Sequence, residues 1–287
     1  MDAARLVSLT FCNETWVFEM THSRCRRGIA ALAAILASLI GAGTAAAQTA
    51  ASRMTLDLIA NQSSLTAGLP DGKALNLRAA WDMPSGNVLQ AELLEERKFG
   101  QSGGVAAVAF TQPFDEAWYA IGSLALGHGG PNWANQKLEL QLSHKWLAQR
   151  QLVTSLALYE AHFDAARNDR GSRLSITLYG STPALVEAGV ILNRSQPGRV
   201  RSTMPYASAV FGQHGTQLIS LRASSGREAY QALGTLGGGL VDFHSRSLSA
   251  NWRRWLAPGW GLSAQIELYR NPAYQRHTLG GGLFAQW

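Results

Sequence analysis

The sequence predicts an all-β fold: an antiparallel up-and-down barrel of about 14 strands that crosses a membrane, following a cleaved N-terminal leader. Three observations predict it. Apolar and polar residues alternate strictly over stretches of about ten residues. An aromatic closes each stretch before a short turn, at Trp81, Phe110, Trp146, Tyr179, Phe211 and Trp255, and another, Trp287, closes the last stretch. An apolar run with an export pattern stands near the N-terminus.

That run comes first. Met20 is followed by the basic "THSRCRR", the apolar "GIAALAAILASLIGAG" and then "TAAAQ". A basic region, an apolar region and an Ala-X-Ala pattern form the layout of a secretory signal peptide. Cleavage is expected between Ala47 and Gln48. The alternative is a retained transmembrane anchor, but the Ala45 and Ala47 pair and the absence of a later apolar run favour cleavage. Residues before Met20 read as an upstream start or a long basic region. The domains are therefore 1–47, removed, and 48–287, the barrel. Both cysteines, Cys12 and Cys25, fall in the removed part, which excludes disulfide and thiol chemistry from the remainder. The formal net charge of +6 is carried by scattered residues, with no basic stripe to suit a nucleic acid.

The strands follow in order. In "QKLELQLSHKW", Leu138, Leu140, Leu142 and Trp146 share one face, while Lys137, Glu139, Gln141, Ser143 and Lys145 share the other. "KALNLRAAW" and "GLSAQIELY" repeat the pattern. Seven closing aromatics mark seven hairpins, with strands at roughly 53–65, 73–82, 87–97, 104–112, 117–127, 136–146, 151–162, 172–180, 185–194, 200–212, 217–227, 240–255, 261–270 and 277–287. Twelve strands is the alternative. Connections after the aromatics are short ("DMPSG", "LAQR", "LAPG"), and the others are longer and more polar ("RKFGQSGG", "HFDAARNDRGS", "REAYQALGTLGGG"). A soluble barrel would hide its apolar face inside. The export signal, the recurring rim aromatics, the strand length and the charged polar face (Lys137, Glu139, Glu187, Glu267) favour a membrane barrel with a wet lumen.

The last strand, "HTLGGGLFAQW", sets Leu279, Leu283, Ala285 and Trp287 on alternate positions. This resembles the carboxy-terminal signal by which assembly machinery recognises bacterial outer-membrane barrels, with Leu283 and Trp287 as its main residues; Ala285 departs from the usual bulky residue. Over most of residues 48–287 the chain resembles the YaiO family of outer-membrane barrels. The resemblance rests on "EERKFGQSGG", "VAF…PFDEAWYAIGSLALG", "LQLSHKW" and "LSAQIELYRNPAYQRHTLGGGLFAQW". It implies a barrel integral to the outer membrane. It supplies no catalytic set, so no site residue is carried over from it.

Candidate chemistry is sparse. A lipid hydrolase needs serine, histidine and an orienting polar group. "DFHSRSLSAN" offers His244, Ser245, Ser247 and Asn251, but Ser245 and Ser247 point to the face opposite His244. A cross-strand partner such as Ser172 or Ser224 is not singled out. No enzyme is therefore expected. The histidines are dispersed, and His162 with Asp164 and Asp169 lacks the spacing of a calcium loop. The glycine runs lack a phosphate-loop context. No cofactor or metal is expected. Arginine is the stronger signal: Arg167, Arg170, Arg173, Arg194, Arg199, Arg201, Arg222 and Arg227 gather in the second half. Their guanidinium forks suit phosphate and carboxylate. Three readings are open: solvated charges paired with Asp164, Asp169 and Glu228, contacts to lipopolysaccharide, or a lumenal guide for an anionic solute or glycan. The partners expected are membrane lipid, lipopolysaccharide and the barrel assembly machinery. The expected function is a narrow channel or export port for a small or saccharide solute, with a non-conducting structural or partner-binding barrel as the alternative.

Overall fold

The computed structural model describes residues 52–164, 167–180, 184–231 and 240–287. The expected cleavage at Ala47 and Gln48 lies outside the described residues. Fourteen strands follow one another: β1 Arg53–Leu65, β2 Gly72–Asp82, β3 Val88–Lys98, β4 Gln101–Pro113, β5 Trp118–His128, β6 Gln136–Trp146 and β7 Leu152–His162. Then come β8 Asn168–Tyr179, β9 Ala184–Gln196, β10 Val200–Gln213, β11 Gln217–Gln231, β12 Leu240–Ala257, β13 Trp260–Arg270 and β14 Gln275–Gln286. Each pairs antiparallel with its chain neighbour, and β1 pairs with β14 to close the barrel. Closure leaves no unpaired edge, which a lipid environment demands.

The period of two decides which way each side chain points. Leu138, Leu140 and Leu142 on β6 and Leu156 and Leu158 on β7 face outward, and Leu140 and Leu158 are 61% and 60% exposed. Lys137, Glu139, Gln141 and Ser143 face inward, and Ser143 is 1% exposed. Such a sheet is apolar outside and polar inside, the reverse of a soluble barrel.

The seam between β1 and β14 shows why the last strand is rich in glycine. Leu58 stands opposite Leu283 and Thr55 opposite Gln286. Just past the end of β14, the backbone of Trp287 exchanges hydrogen bonds of 2.8 and 3.1 Å with that of Met54 on β1. On the inward face, a Cβ on Gly282 would meet the Leu58 carbonyl oxygen, and one on Gly280 would meet Asn61 Oδ1. The missing side chains leave a lane over β14, through which Gln265 Nε2 donates to Asn61 Oδ1 at 2.5 Å.

Two sequence expectations are corrected. The long-loop rim is not uniformly long: Lys98 pairs with Gln101 and Val200 with Ser195, so only tight turns join β3 to β4 and β9 to β10. Phe99 and Gly100 both take positive φ, 51° and 78°, the geometry of a two-residue hairpin turn. The polar residues flanking these turns continue the ladder, although their composition reads as loop. Secondly, two of the seven closing aromatics do not belong to the lipid-facing set. Tyr179 packs into an inward cluster, and Trp255 is buried inside at 8% exposure. Both sit at odd positions on strands whose outward residues are even.

Candidate functional site

The interior at mid-height and toward the longer connections is a web of paired charges. Arg173 donates to Glu139 at 2.6 Å and to Gln141 at 3.0 Å, and Lys137 lies 3.3 Å from Glu139. Arg78 and Asn76 both bond Glu92, Arg276 pairs with Glu267 at 2.6 Å, and Lys98 with Glu96 at 3.1 Å. Glu187 accepts from Tyr206 at 2.8 Å and Thr177 at 2.9 Å, while Glu228 accepts from Tyr269 at 3.0 Å and from Ser245. Charges withdrawn from bulk water persist only when paired in this way. Inward-facing space remains nonetheless: Arg222, Ser224 and Ser249 are half-buried, and Asn251 points inward yet is exposed.

Near the short turns the interior changes character. Ala109, Tyr119, Ile121 and Val153 form one buried cluster with Tyr179 against it. Leu218, Trp255 and Phe284 form another with Val210. The Trp255 and Phe284 rings meet edge-on at 5.0 Å, and Arg253, paired with Asp57 at 3.0 Å, lies 3.7 Å above Phe284. Beside them, in the turn after β10, burial holds the His214 imidazole below its ordinary range, and Arg53 and Arg253 add to the effect. An apolar collar thus lines this end of the lumen.

The eight arginines singled out by the sequence divide between the two faces. Arg167 is buried, 3.3 Å from Asp169 and 3.8 Å over the Phe163 ring. Arg173 is inside with Glu139, and Arg222 lies inside over Tyr206 at 4.0 Å. Arg199 sits in the β9–β10 turn with φ 56°. Arg170, Arg194, Arg201 and Arg227 face outward at the rim opposite the short turns. Arg170 pairs with Glu160 at 2.8 Å and Arg227 with Asp242 at 2.6 Å. Arg194 stands directly opposite both Arg170 and Arg201. Sequence reasoning missed two more outward arginines, Arg246 and Arg270, which register places directly opposite each other. Counting two residues past the lipid-facing Leu248 and Leu268 would have found them.

The remaining candidates do not assemble into a catalytic set. Ser224 faces inward and bonds Ser247 at 2.8 Å, and Ser172 lies on β8, away from His244. Ser225 is the serine that meets His244, at 3.4 Å, but the nearby Asp242 carboxylate is held by both forks of Arg227. The residues weighed against a calcium loop go separate ways: His162 bonds Asn168 at 2.7 Å, Asp164 accepts from Asn135 at 2.7 Å, and Asp169 pairs with Arg167.

Comparison with known proteins places this geometry. Curated proteins include no match to the sequence. Among solved structures, the CymD monoaromatic hydrocarbon channel is similar with a TM-score of 0.53 at 6% identity, over 83% of this chain and 88% of that one. A loop-deletion form of OmpT from Vibrio cholerae (TM-score 0.48, 8% identity, 83% and 99% covered) and an anion-selective porin from Comamonas acidovorans (0.45, 10%, 83% and 100%) are also similar. At such identities the likeness is one of fold alone. The model of the YaiO membrane β-barrel domain matches residues 55–231. With its closed fourteen-strand sheet, lipid-facing leucines and matched domain, the chain belongs to the YaiO family and is an integral barrel of the outer membrane.

Proposed function

We propose that the protein is a narrow channel or export port for small or saccharide solutes across the outer membrane. The supporting observation is the inward-facing space at mid-height: Asn251 is exposed on the inner face, with Arg222, Ser224 and Ser249 half-buried around it. Fourteen strands enclose more room than the side chains of an eight-strand barrel fill. The lining carries both signs of charge in mutual pairs and is rich in hydroxyl and phenol groups. Such a wall favours hydroxyl-bearing solutes over free ions. The collar of Leu218, Trp255 and Phe284 narrows the passage, and an apolar constriction resists water and ions. No chemical step is assigned: the Ser225 and His244 contact has no orienting third group.

The second reading, a closed structural or partner-binding barrel, is favoured by the burial of inward side chains such as Tyr206 and Arg276. Planar-bilayer recording separates the two. The channel reading expects small, weakly selective conductance steps that grow in Phe284→Ala. It also expects a shift toward anions in Glu139→Gln, which removes the negative charge that Arg173 and Lys137 share. Silence in the wild type and in both variants, with the barrel still folded, supports the closed reading instead.

A further inference from the structure

The outer face of β12 and β13 carries a pair of arginines that no lumenal function uses. Arg246 and Arg270 are exposed, outward-facing and directly opposite each other, with about 4.5–5.5 Å between their Cα atoms as for any such pair. Like charges placed opposite one another on a sheet repel. Among the described residues, no carboxylate lies within ion-pair distance of either guanidinium. The outward acid on β12, Asp242, is engaged by Arg227, while Glu267 and Glu228 point into the lumen, paired there with Arg276 and with Ser245 and Tyr269.

The two arginines also line a notch of about 530 Å³, together with His244, Asn271 and Gln275. Its roof is the short β13–β14 connection, and that connection is fixed in shape. Asn271 Oδ1 accepts the backbone N–H groups of Ala273 and Tyr274, both at 2.8 Å, and Asn271 Nδ2 donates to the Tyr269 hydroxyl at 3.2 Å. Gln275 N donates to Thr66 Oγ1 at 2.8 Å, tying the roof to the β1–β2 loop. The volume falls in the range of ordinary ligand pockets.

Position selects the ligand. The strand residues of the notch all face outward with Leu248 and Leu268, so its mouth opens sideways to the membrane rather than into the lumen. The guanidiniums stand two residues, roughly 7 Å, beyond those lipid-facing leucines along the strands. That is the depth of headgroups, at the rim that faces the outer leaflet when short turns face the periplasm. We propose that this notch binds the phosphorylated sugar headgroup of lipopolysaccharide, with the Arg246 and Arg270 forks holding a phosphate bidentately and His244 and Gln275 at its edge meeting sugar hydroxyls. The site is independent of whether the lumen conducts.

The test uses the folded, full-length barrel in phospholipid nanodiscs, titrated with lipopolysaccharide and with the same material after dephosphorylation. The wild type is expected to bind the phosphorylated form, and the double variant Arg246→Gln, Arg270→Gln to bind it roughly tenfold more weakly or worse, the loss of charge-assisted bonds. Arg254→Gln, outward at the opposite rim, should bind as the wild type does. Equal binding by the double variant, or equal binding of dephosphorylated lipopolysaccharide, overturns the proposal. Should the glutamine pair fail to give a heat-modifiable barrel, Arg246→Lys with Arg270→Lys keeps the charge but loses the fork. Weakened binding is then expected, and undiminished binding overturns the assignment.

Discussion

The two rims of this barrel solve the same interface with different residues. Around the short turns, the outward positions are aromatic: Phe110, Trp118, Trp146, Phe211, Trp260 and Trp287, each 38% exposed or more. The His144 ring lies tilted against Trp118 and edge-on to Trp146, with centroids 4.3 and 4.2 Å apart, and Trp146 Nε1 donates to Thr154 at 2.8 Å. Around the longer connections the outward positions are basic: Lys73, Arg97, Arg170, Arg194, Arg201, Arg227, Arg246 and Arg270, against Glu95, Glu160 and Asp242. Lys73 opposes Arg97 just as Arg194 opposes Arg201. Amphipathic rings suit a leaflet of ordinary headgroups. Rows of like charge suit a leaflet that supplies its own anions. The positive bias of the chain is therefore concentrated on one outer rim, since the interior charges pair with one another.

The largest expected effect lies on the aromatic rim, and it divides two residues at the same height. Trp146→Ala should cost only what one rim aromatic contributes, about 1–2 kcal/mol. Trp287→Ala removes a lipid-facing residue of the closing strand, which the sequence also reads as part of the assembly signal. Its loss should lower outer-membrane levels in cells several-fold while detergent refolding stays near normal. Quantitative blotting of membrane and periplasmic fractions checks it; equal accumulation of the two variants would make Trp287 an ordinary rim residue.

The basic rim should respond with a change of sign. In detergent free of lipopolysaccharide, Arg194→Gln with Arg201→Gln relieves an uncompensated cross-strand repulsion and should stabilise the barrel by about 0.5–1 kcal/mol. In lipopolysaccharide-containing bilayers the same change removes anion contacts and should destabilise it. Thermal loss of the heat-modifiable band in both media reads the two signs. The same sign in both would mean that these arginines respond only to one another.

What the sequence made legible follows from the same geometry. Alternation in "KLELQL" fixes a face within one strand, so strand existence was plain, and β1 and β6 end where the pattern predicted. The arginine reading grouped residues by position along the chain, and the faces divide that group. Arg170 and Arg173 are three residues apart and so on opposite faces, while Arg246 and Arg270 are far apart in sequence and adjacent in space. Only register, set by turns such as Phe99–Gly100 and Ala257–Trp260, brings such pairs together. The inward turn of Tyr179 and Trp255 has a different cause: the alternation of Leu174, Ile176 and Leu178, and of Leu248 and Trp252, already sets them on the other face, but an aromatic at the right height is not thereby on the right face.

The smallest expected effect tests whether the short-turn rim is held by its turns as well as its rings. Asp115 Oδ1 accepts the N–H groups of Ala117 at 2.6 Å and Trp118 at 2.7 Å, which fixes the chain as it enters β5 and aims the Trp118 ring at His144. Those two backbone bonds, Trp118 first, hold the Asp115 carboxyl below the ordinary carboxylate range. A folded-state pKa below the unfolded value contributes stability that is present above the unfolded pKa and is lost as pH falls through the folded one. Asp115→Asn should therefore lower the thermal midpoint slightly at neutral pH. The difference from the wild type should vanish in acid, where Asp115 itself is protonated. At the basic rim no such acid-dependent gap is expected from Arg194→Gln, because a guanidinium stays charged throughout. Melting of the two variants beside the wild type, at neutral and at acid pH, checks the contrast. A gap for Asp115→Asn that persists undiminished in acid would show that the turn depends on side-chain shape rather than on charge.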